Sequence, residues 1–76
     1  MERIKTGITT EFIKLDQLLK FSGLAESGSD AKDMILCGIV SVNGELCTMR
    51  GKTIRSGDSV TVEFEDETAV IDVVNE

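Results

Sequence analysis

The chain has 76 residues, of which 41% are hydrophobic and 29% are charged, and it carries a formal net charge of −6 with no histidine. A chain of this length forms at most one domain, here residues 1–76, and leaves no room for a deep substrate cleft beside its core. No apolar run approaches the roughly 18–20 residues of a membrane span, and the N-terminus lacks a secretion signal. We therefore expect a cytoplasmic protein without a membrane partner. We also expect a monomer.

The first predicted elements are an arm, a short strand and a helix. Residues 1–7 carry mixed charge and end in glycine, which is typical of a loose arm. Residues 8–13 are rich in β-branched side chains, which favour a strand. Leucines recur at helical spacing over residues 14–22, and Gly23 is a natural terminator because glycine accepts the left-handed conformation.

A second helix is predicted to begin at Ser27. Ser27 and Asp30 resemble a capping box, and Asp30 lies where the helix dipole favours negative charge. A buried apolar stripe starts at Ala31 and continues at i+3 and i+4. Gly38 is expected to end this helix.

From residue 39 the apolar pattern changes to the period of two that strands show. Asn43-Gly44 lies between two apolar runs and predicts a hairpin, because both residues tolerate the positive φ of a type I′ turn. The later predicted elements are a loop over residues 48–55, a turn at Gly57-Asp58, a half-buried strand over residues 60–64 and a last strand over residues 70–74. The order predicts an α+β fold in which two short packed helices precede a small twisted antiparallel sheet.

The net charge conceals an uneven distribution. Residues 1–57 hold all eight Lys and Arg and seven acids, a balance of +1, whereas residues 58–76 hold seven acids and no Lys or Arg, a balance of −7. The two parts sum to −6. Because a local patch sets the local field, a basic surface in the first part remains compatible with an anionic partner.

The chemistry-bearing residues argue against catalysis. Cys37 and Cys47, without histidine, cannot supply a four-ligand zinc site, and we interpret them as buried, inert thiols rather than a disulfide. The lack of histidine removes the commonest general base at neutral pH, and no glycine-rich phosphate loop or paired-carboxylate motif is present. We therefore expect no enzyme activity, no metal and no cofactor.

An ordered series of residues resembles the S4 RNA-binding domain. The series is Lys14-Leu15-Asp16, Leu19, Gly23, Ser27, Ala31, Ile35, Gly38, Val40, Val42-Asn43-Gly44, Gly57-Asp58 and Val60. It covers residues 12–64, and residues 26–28 with Ala31-Lys32 look most like the small stand-alone bacterial S4-like proteins. Residues 65–76 are expected to form an acidic C-terminal strand or tail. No single piece is specific, whereas the ordered set at these spacings is.

The resemblance implies an L-shaped arrangement of two helices and a hairpin that grips folded RNA without performing chemistry. Family members occur in ribosomal proteins, pseudouridine synthases, tyrosyl-tRNA synthetases and ribosome-rescue factors. From where these relatives act, the expected partner is ribosomal RNA or a ribosomal subunit, in assembly, translation or rescue. The candidate RNA-binding residues are Lys14, Ser27, Ser29, Lys32, Asn43, Arg50, Lys52 and Arg55. Cations meet phosphates, the start of the second helix offers free N–H groups, and Asn43 can hydrogen-bond a base edge or a 2′-hydroxyl.

Two features refine this expectation. Gly28 stands where many S4 domains carry arginine or lysine, so the grip on phosphate is expected either to be weaker or to depend more on residues 50–55. The three aromatic residues, Phe12, Phe21 and Phe64, lie in apolar patterns and are interpreted as core residues, which favours recognition of folded RNA by shape over stacking on single strands.

Two other functions compete with RNA binding on the sequence alone. A ubiquitin-like carrier would end in Gly-Gly, whereas this chain ends in Asn75-Glu76. A protein-interaction adaptor that kept the S4 shape with little RNA affinity stays open because of the negative net charge, and an RNA titration separates it from the RNA-binding reading. The acidic C-terminus is a candidate contact for a basic ribosomal protein.

Overall fold

Two short helices and a twisted sheet build the protein, and the computed structural model describes residues 2–76. The helices are α1 (Leu15–Phe21) and α2 (Gly28–Leu36). The strands are β1 (Glu2–Ile8), β2 (Ile13–Lys14), β3 (Val40–Val42), β4 (Glu45–Leu46), β5 (Thr53–Ile54), β6 (Ser59–Glu63) and β7 (Thr68–Asn75).

Both helices begin and end close to where their sequence signals predict. α1 starts after Lys14, and Gly23 follows it with a φ of 88°. At the start of α2 the Ser27 hydroxyl accepts a hydrogen bond from the Asp30 N–H at 3.2 Å, which confirms the predicted cap. Gly38 follows α2 with a φ of 79°, in the left-handed region that glycine accepts readily.

The main sheet has five strands in the order β1-β7-β6-β3-β4. β7 runs antiparallel to β6 but parallel to β1, from the pair Glu2 and Ala69 to the pair Ile8 and Asn75. The sheet is therefore mixed rather than antiparallel as predicted. The acidic end of the chain supplies β7, which lies between two other strands.

The predicted N-terminal arm is wrong for residues 2–7, which belong to β1; Met1 lies outside the described residues. Mixed charge masks the alternation of Ile4, Thr6 and Ile8, of which Thr6 and Ile8 are buried. The predicted strand over residues 8–13 is also wrong in its extent, because Ile8 ends β1, Ile13 begins β2 and the residues between them belong to neither strand. Because β1 pairs with the opposite end of the chain, no pattern among neighbouring residues predicts that pairing.

The predicted hairpin is confirmed. Asn43 and Gly44 have φ values of 52° and 87° between β3 and β4, as a type I′ turn requires. The predicted loop over residues 48–55 contains the two-residue strand β5, which pairs with β2.

The core lies between the helices and one face of the main sheet. Its fully buried aliphatic side chains include Leu15, Leu18, Leu19, Ile35, Val40, Val60, Val62 and Ile71. Each such side chain contributes roughly 1.5–3 kcal/mol through burial. The predicted stripes of both helices supply the helical side of this core.

Two predictions about burial are wrong. Phe12, Phe21 and Phe64 are 43%, 64% and 37% exposed, because aliphatic side chains fill the core. Cys37 is exposed at the end of α2 and Cys47 is half-buried; both thiols are free.

A salt bridge on the open face of the sheet joins the two terminal strands. Arg3 Nε donates to Asp72 Oδ2 at 2.6 Å, and the Ser59 hydroxyl donates to Asp72 Oδ1 at 3.0 Å. The hydrogen bonds from Arg3 and then Ser59 hold the pKa of Asp72 below its ordinary value. The same partnership raises the pKa of Arg3, first through its hydrogen bond to Asp72.

This arrangement predicts a small loss of stability in acid. A carboxylate whose folded pKa is lowered stabilises the fold above its unfolded pKa of about 4, and that contribution disappears as the pH falls through the folded pKa. We expect the urea midpoint of Asp72→Asn to fall less between pH 7 and pH 3 than that of the wild type. Thr61→Ala, a neutral change on the same face, should keep the wild-type pH profile. Parallel profiles for Asp72→Asn and wild type would contradict the assignment.

Candidate nucleic-acid interface

The loop after the hairpin docks on the start of α1 through its backbone. The Leu15 N–H donates to the Lys52 carbonyl at 2.9 Å, and the Asp16 N–H donates to the Arg50 carbonyl at 3.2 Å. The first N–H groups of a helix lack partners within the helix, so these carbonyls satisfy them. The docking brings Lys14, at the N-cap of α1, next to Arg50 and Lys52 in space.

Arg55 joins the same region from the other end of β5. Ile54 is fully buried opposite Ile13, and Lys14 lies opposite Thr53. Because side chains alternate along a strand, Thr53 and Arg55 point away from the core. The basic face is defined here as Lys14, Arg50, Lys52 and Arg55.

The four cations of the basic face are free to meet an anionic ligand. All four residues are exposed. Within residues 2–76 the single salt bridge joins Arg3 to Asp72, away from the basic face. Within the described part of the chain, none of the four cations therefore takes part in a salt bridge, although the Asp58 carboxylate lies beside the backbone of Arg55.

Asn43 has a structural role that competes with its predicted contact to RNA. Its side-chain amide donates to Asp58 Oδ1 at 3.1 Å and accepts from the Ser59 N–H at 2.9 Å. Its backbone N–H donates to the Ser59 carbonyl at 2.8 Å. Asp58 Oδ2 also accepts from the Arg55 N–H at 2.8 Å, so this network ties the hairpin turn to the backbone of the basic face.

A groove of about 600 Å³ opens between the hairpin and the loop that follows it. The hairpin supplies Leu46 and Cys47, the loop supplies Met49, and the basic face supplies Lys52 and Arg55. The groove therefore combines apolar side chains with cations.

The three remaining predicted site residues form a separate group. Ser27, Ser29 and Lys32 are exposed at the start of α2, which packs on α1 through its buried stripe. The Ser27 hydroxyl is engaged as the helix cap. The hydrogen bonds that unite Lys14 with residues 50–55 do not include these residues, whose RNA-binding role stays a prediction.

Phe12 is a candidate residue that the sequence analysis assigned to the core. Its ring is 43% exposed, and Lys14 Nζ lies 5.6 Å from the ring centroid, within the range of a cation–π contact. The available signal was strand alternation: with Ile13 turned inward, its neighbour Phe12 turns outward.

Acidic residues are concentrated at the opposite end of the sheet. Ser59, at the start of β6, touches the hairpin turn, and Glu63 lies at the other end of that strand, about 13 Å away at the usual strand rise. Residues 65–67, all acidic and exposed, form the turn that follows. The sheet thus carries an acidic turn at the end opposite the hairpin, while Glu45 and Asp58 lie at the hairpin end with Lys52 and Arg55.

Two structural features are absent from residues 2–76. None of their helices has the length and apolar character that crossing a membrane requires. Their Cys, Asp and Glu side chains form no group of three or more suited to a metal ion.

Comparison with known proteins gives a family assignment. A search of curated proteins found no match. The model of the family described as the S4 domain matches residues 6–72, which contain both helices, the hairpin and the whole basic face. The match extends beyond the expected residues 12–64 at both ends. The S4 domain is a general RNA-binding domain. The chain belongs to the S4 domain family.

Proposed function

We propose that this protein binds structured RNA in the cytoplasm without catalysing a reaction, and that its target is ribosomal RNA. The observation that carries the proposal is the basic face, whose four exposed cations are held together by the docking of two loop carbonyls on α1. Cations meeting phosphates supply much of the affinity of RNA-binding proteins. Because the backbone is already in place, little ordering is needed on binding.

The distance between the basic face and the acidic turn supports one orientation on RNA. The basic face meets the phosphates, and the acidic turn at residues 65–67 points toward the other end of the protein. Such a field steers an anionic partner toward one end of the molecule. It also leaves the acidic turn free for the proposed contact with a basic ribosomal protein.

Equilibrium binding across a salt series tests the proposal. The ligands are a structured ribosomal RNA fragment and an unstructured RNA of equal length. If about four phosphates are contacted, log affinity should fall with log salt at a slope of about −3. We expect the structured RNA to bind more tightly. Absence of binding at low salt would refute the proposal and leave the protein-adaptor function in its place.

Phe12 should contribute to RNA binding through its contact with Lys14. The ring positions the Lys14 ammonium through a cation–π contact worth about 0.5–1 kcal/mol at exposed sites, so its removal leaves that cation less ordered and takes away an apolar surface beside the proposed phosphate contacts. We expect Phe12→Ala to weaken RNA binding severalfold while the unfolding midpoint stays close to that of the wild type. Phe21→Ala, at a more exposed ring on α1, is the control and should bind as the wild type does. Equal losses in the two variants would argue against a specific role for Phe12.

The acidic turn should influence RNA binding only at low salt. At about 0.15 M salt the screening length is about 8 Å, which is shorter than the estimated length of β6. At about 0.01 M salt it grows to about 30 Å. We expect Glu65→Gln/Asp66→Asn/Glu67→Gln to match wild-type affinity at the higher salt and to exceed it at the lower. A severalfold gain at the higher salt would instead place the turn beside the RNA.

A further inference from the structure

We propose that the groove between the hairpin and the following loop holds one unpaired nucleotide of the RNA. The apolar face of the base would lie against Leu46 and Met49, and the phosphate of the nucleotide would lie at Lys52 and Arg55. This inference rests on the proposed function and adds to it the class of RNA feature that the protein selects. It concerns a bulged or terminal nucleotide, whose base is free to leave the helix.

The apolar side of the groove is unusually open to solvent. Leu46 and Met49 are 64% and 66% exposed. They are separated by only two residues and line the same groove. Exposed apolar surface collected beside polar groups marks a binding site more often than scattered single residues do.

The charged side of the groove restricts the occupant. Lys52 and Arg55 line it, and within residues 2–76 neither takes part in a salt bridge. An apolar peptide would leave these cations without partners, whereas a nucleotide offers a phosphate and an apolar base face together. Charge complementarity therefore favours a nucleotide over a hydrophobic segment of protein.

Two carboxylates, Asp58 and Glu45, also line the groove and equal its two cations in number. Both oxygens of Asp58 already accept hydrogen bonds, one from Asn43 and one from the Arg55 N–H. Glu45 is exposed in the hairpin and is an acceptor only. A free phosphate would be repelled by Glu45, whereas the exocyclic amino group of a base donates to such a carboxylate.

The dimensions agree with an unpaired nucleotide rather than with a duplex. The groove volume of about 600 Å³ falls within the roughly 300–1,000 Å³ that is typical of sites for small ligands. Paired bases within a helix present only their edges, whereas bases in loops and bulges can be splayed out and packed on both faces.

The test compares two hairpin RNAs that differ by one nucleotide. One carries a single bulged 2-aminopurine, and the other is the same hairpin fully paired. Wild-type protein should bind the bulged RNA about tenfold more tightly, which corresponds to about 1.4 kcal/mol, and the 2-aminopurine fluorescence should change on binding. Leu46→Ser/Met49→Ser should bind both RNAs with the affinity that wild type shows for the paired one.

Leu36→Ser is the matched control because Leu36 is 59% exposed on α2, outside the groove. It should keep the wild-type preference for the bulge. Equal binding of the two RNAs by wild type, or a preserved preference in the double variant, would overturn the inference while RNA binding itself stands. Failure of wild type to bind either RNA would refute the proposed function and the inference with it. The wild-type comparison decides the question even if the double variant is less stable.

Discussion

Reversing the charge of Arg50, Lys52 and Arg55 to glutamate should weaken binding to structured RNA by about a hundredfold or more, which corresponds to about 2.7 kcal/mol. The three side chains are exposed, and it is their backbone segment that docks on α1, so the fold should persist. Each lost phosphate contact removes about 0.7–0.9 from the salt slope, which should fall from about −3 to nearly −1 as Lys14 alone remains. The measurement is the same titration across salt.

A pair of variants with equal net charge separates the basic face from overall charge. Lys52→Glu/Arg55→Glu alters the basic face, whereas Lys5→Glu/Lys20→Glu alters two exposed lysines on β1 and α1. We expect a large loss in the first variant and a small one in the second. Equal losses would show that affinity follows total charge. An unchanged salt slope in the triple variant would move the RNA contact to the group at the start of α2.

Replacing Asn43 should have the largest effect on stability outside the core. Asn43→Ala loses two side-chain hydrogen bonds worth about 1 kcal/mol each, and it places alanine at a φ of 52°. The left-handed conformation costs a residue such as alanine about 1–2 kcal/mol. A combined loss of this size should lower the melting temperature by about 10 °C or more in a domain of this length.

Asn43→Gly separates the two causes. Glycine accepts the positive φ but cannot make the side-chain hydrogen bonds, so thermal unfolding should place it between wild type and Asn43→Ala. Equal melting temperatures for the alanine and glycine variants would show that backbone strain is unimportant at this turn. RNA binding by the folded glycine variant tests the other predicted role, since a large loss would assign Asn43 a direct contact with RNA.

Local signals account for the elements that could be predicted. Three predicted features depend only on residues close together in sequence. They are the Ser27 cap, the glycines that end both helices and the Asn43-Gly44 turn. The apolar periods of three to four and of two likewise need only a short window. These features were sufficient to predict the α+β class and to show the resemblance to the S4 domain.

The errors share a different physical origin. β1 forms because it pairs with β7, which lies at the other end of the chain. The charged residues near the N-terminus give no indication of that distant partner. The aromatic residues are exposed because aliphatic side chains of other elements already fill the core, which no residue's immediate neighbours reveal. An apolar pattern indicates that a face is present but does not decide which side chains compete successfully for the interior.

The sequence by itself determined the helices, the hairpin and which residues carry positive charge, because those properties are local or intrinsic. Only the tertiary structure decided that Lys14 lies beside Arg50 and Lys52, since two hydrogen bonds to the start of α1 join segments distant in the chain. It also decided that Leu46 and Met49 share a groove with Lys52 and Arg55. Charge and apolarity are properties of each single residue. A binding surface depends instead on the packing and hydrogen bonds that bring distant residues together.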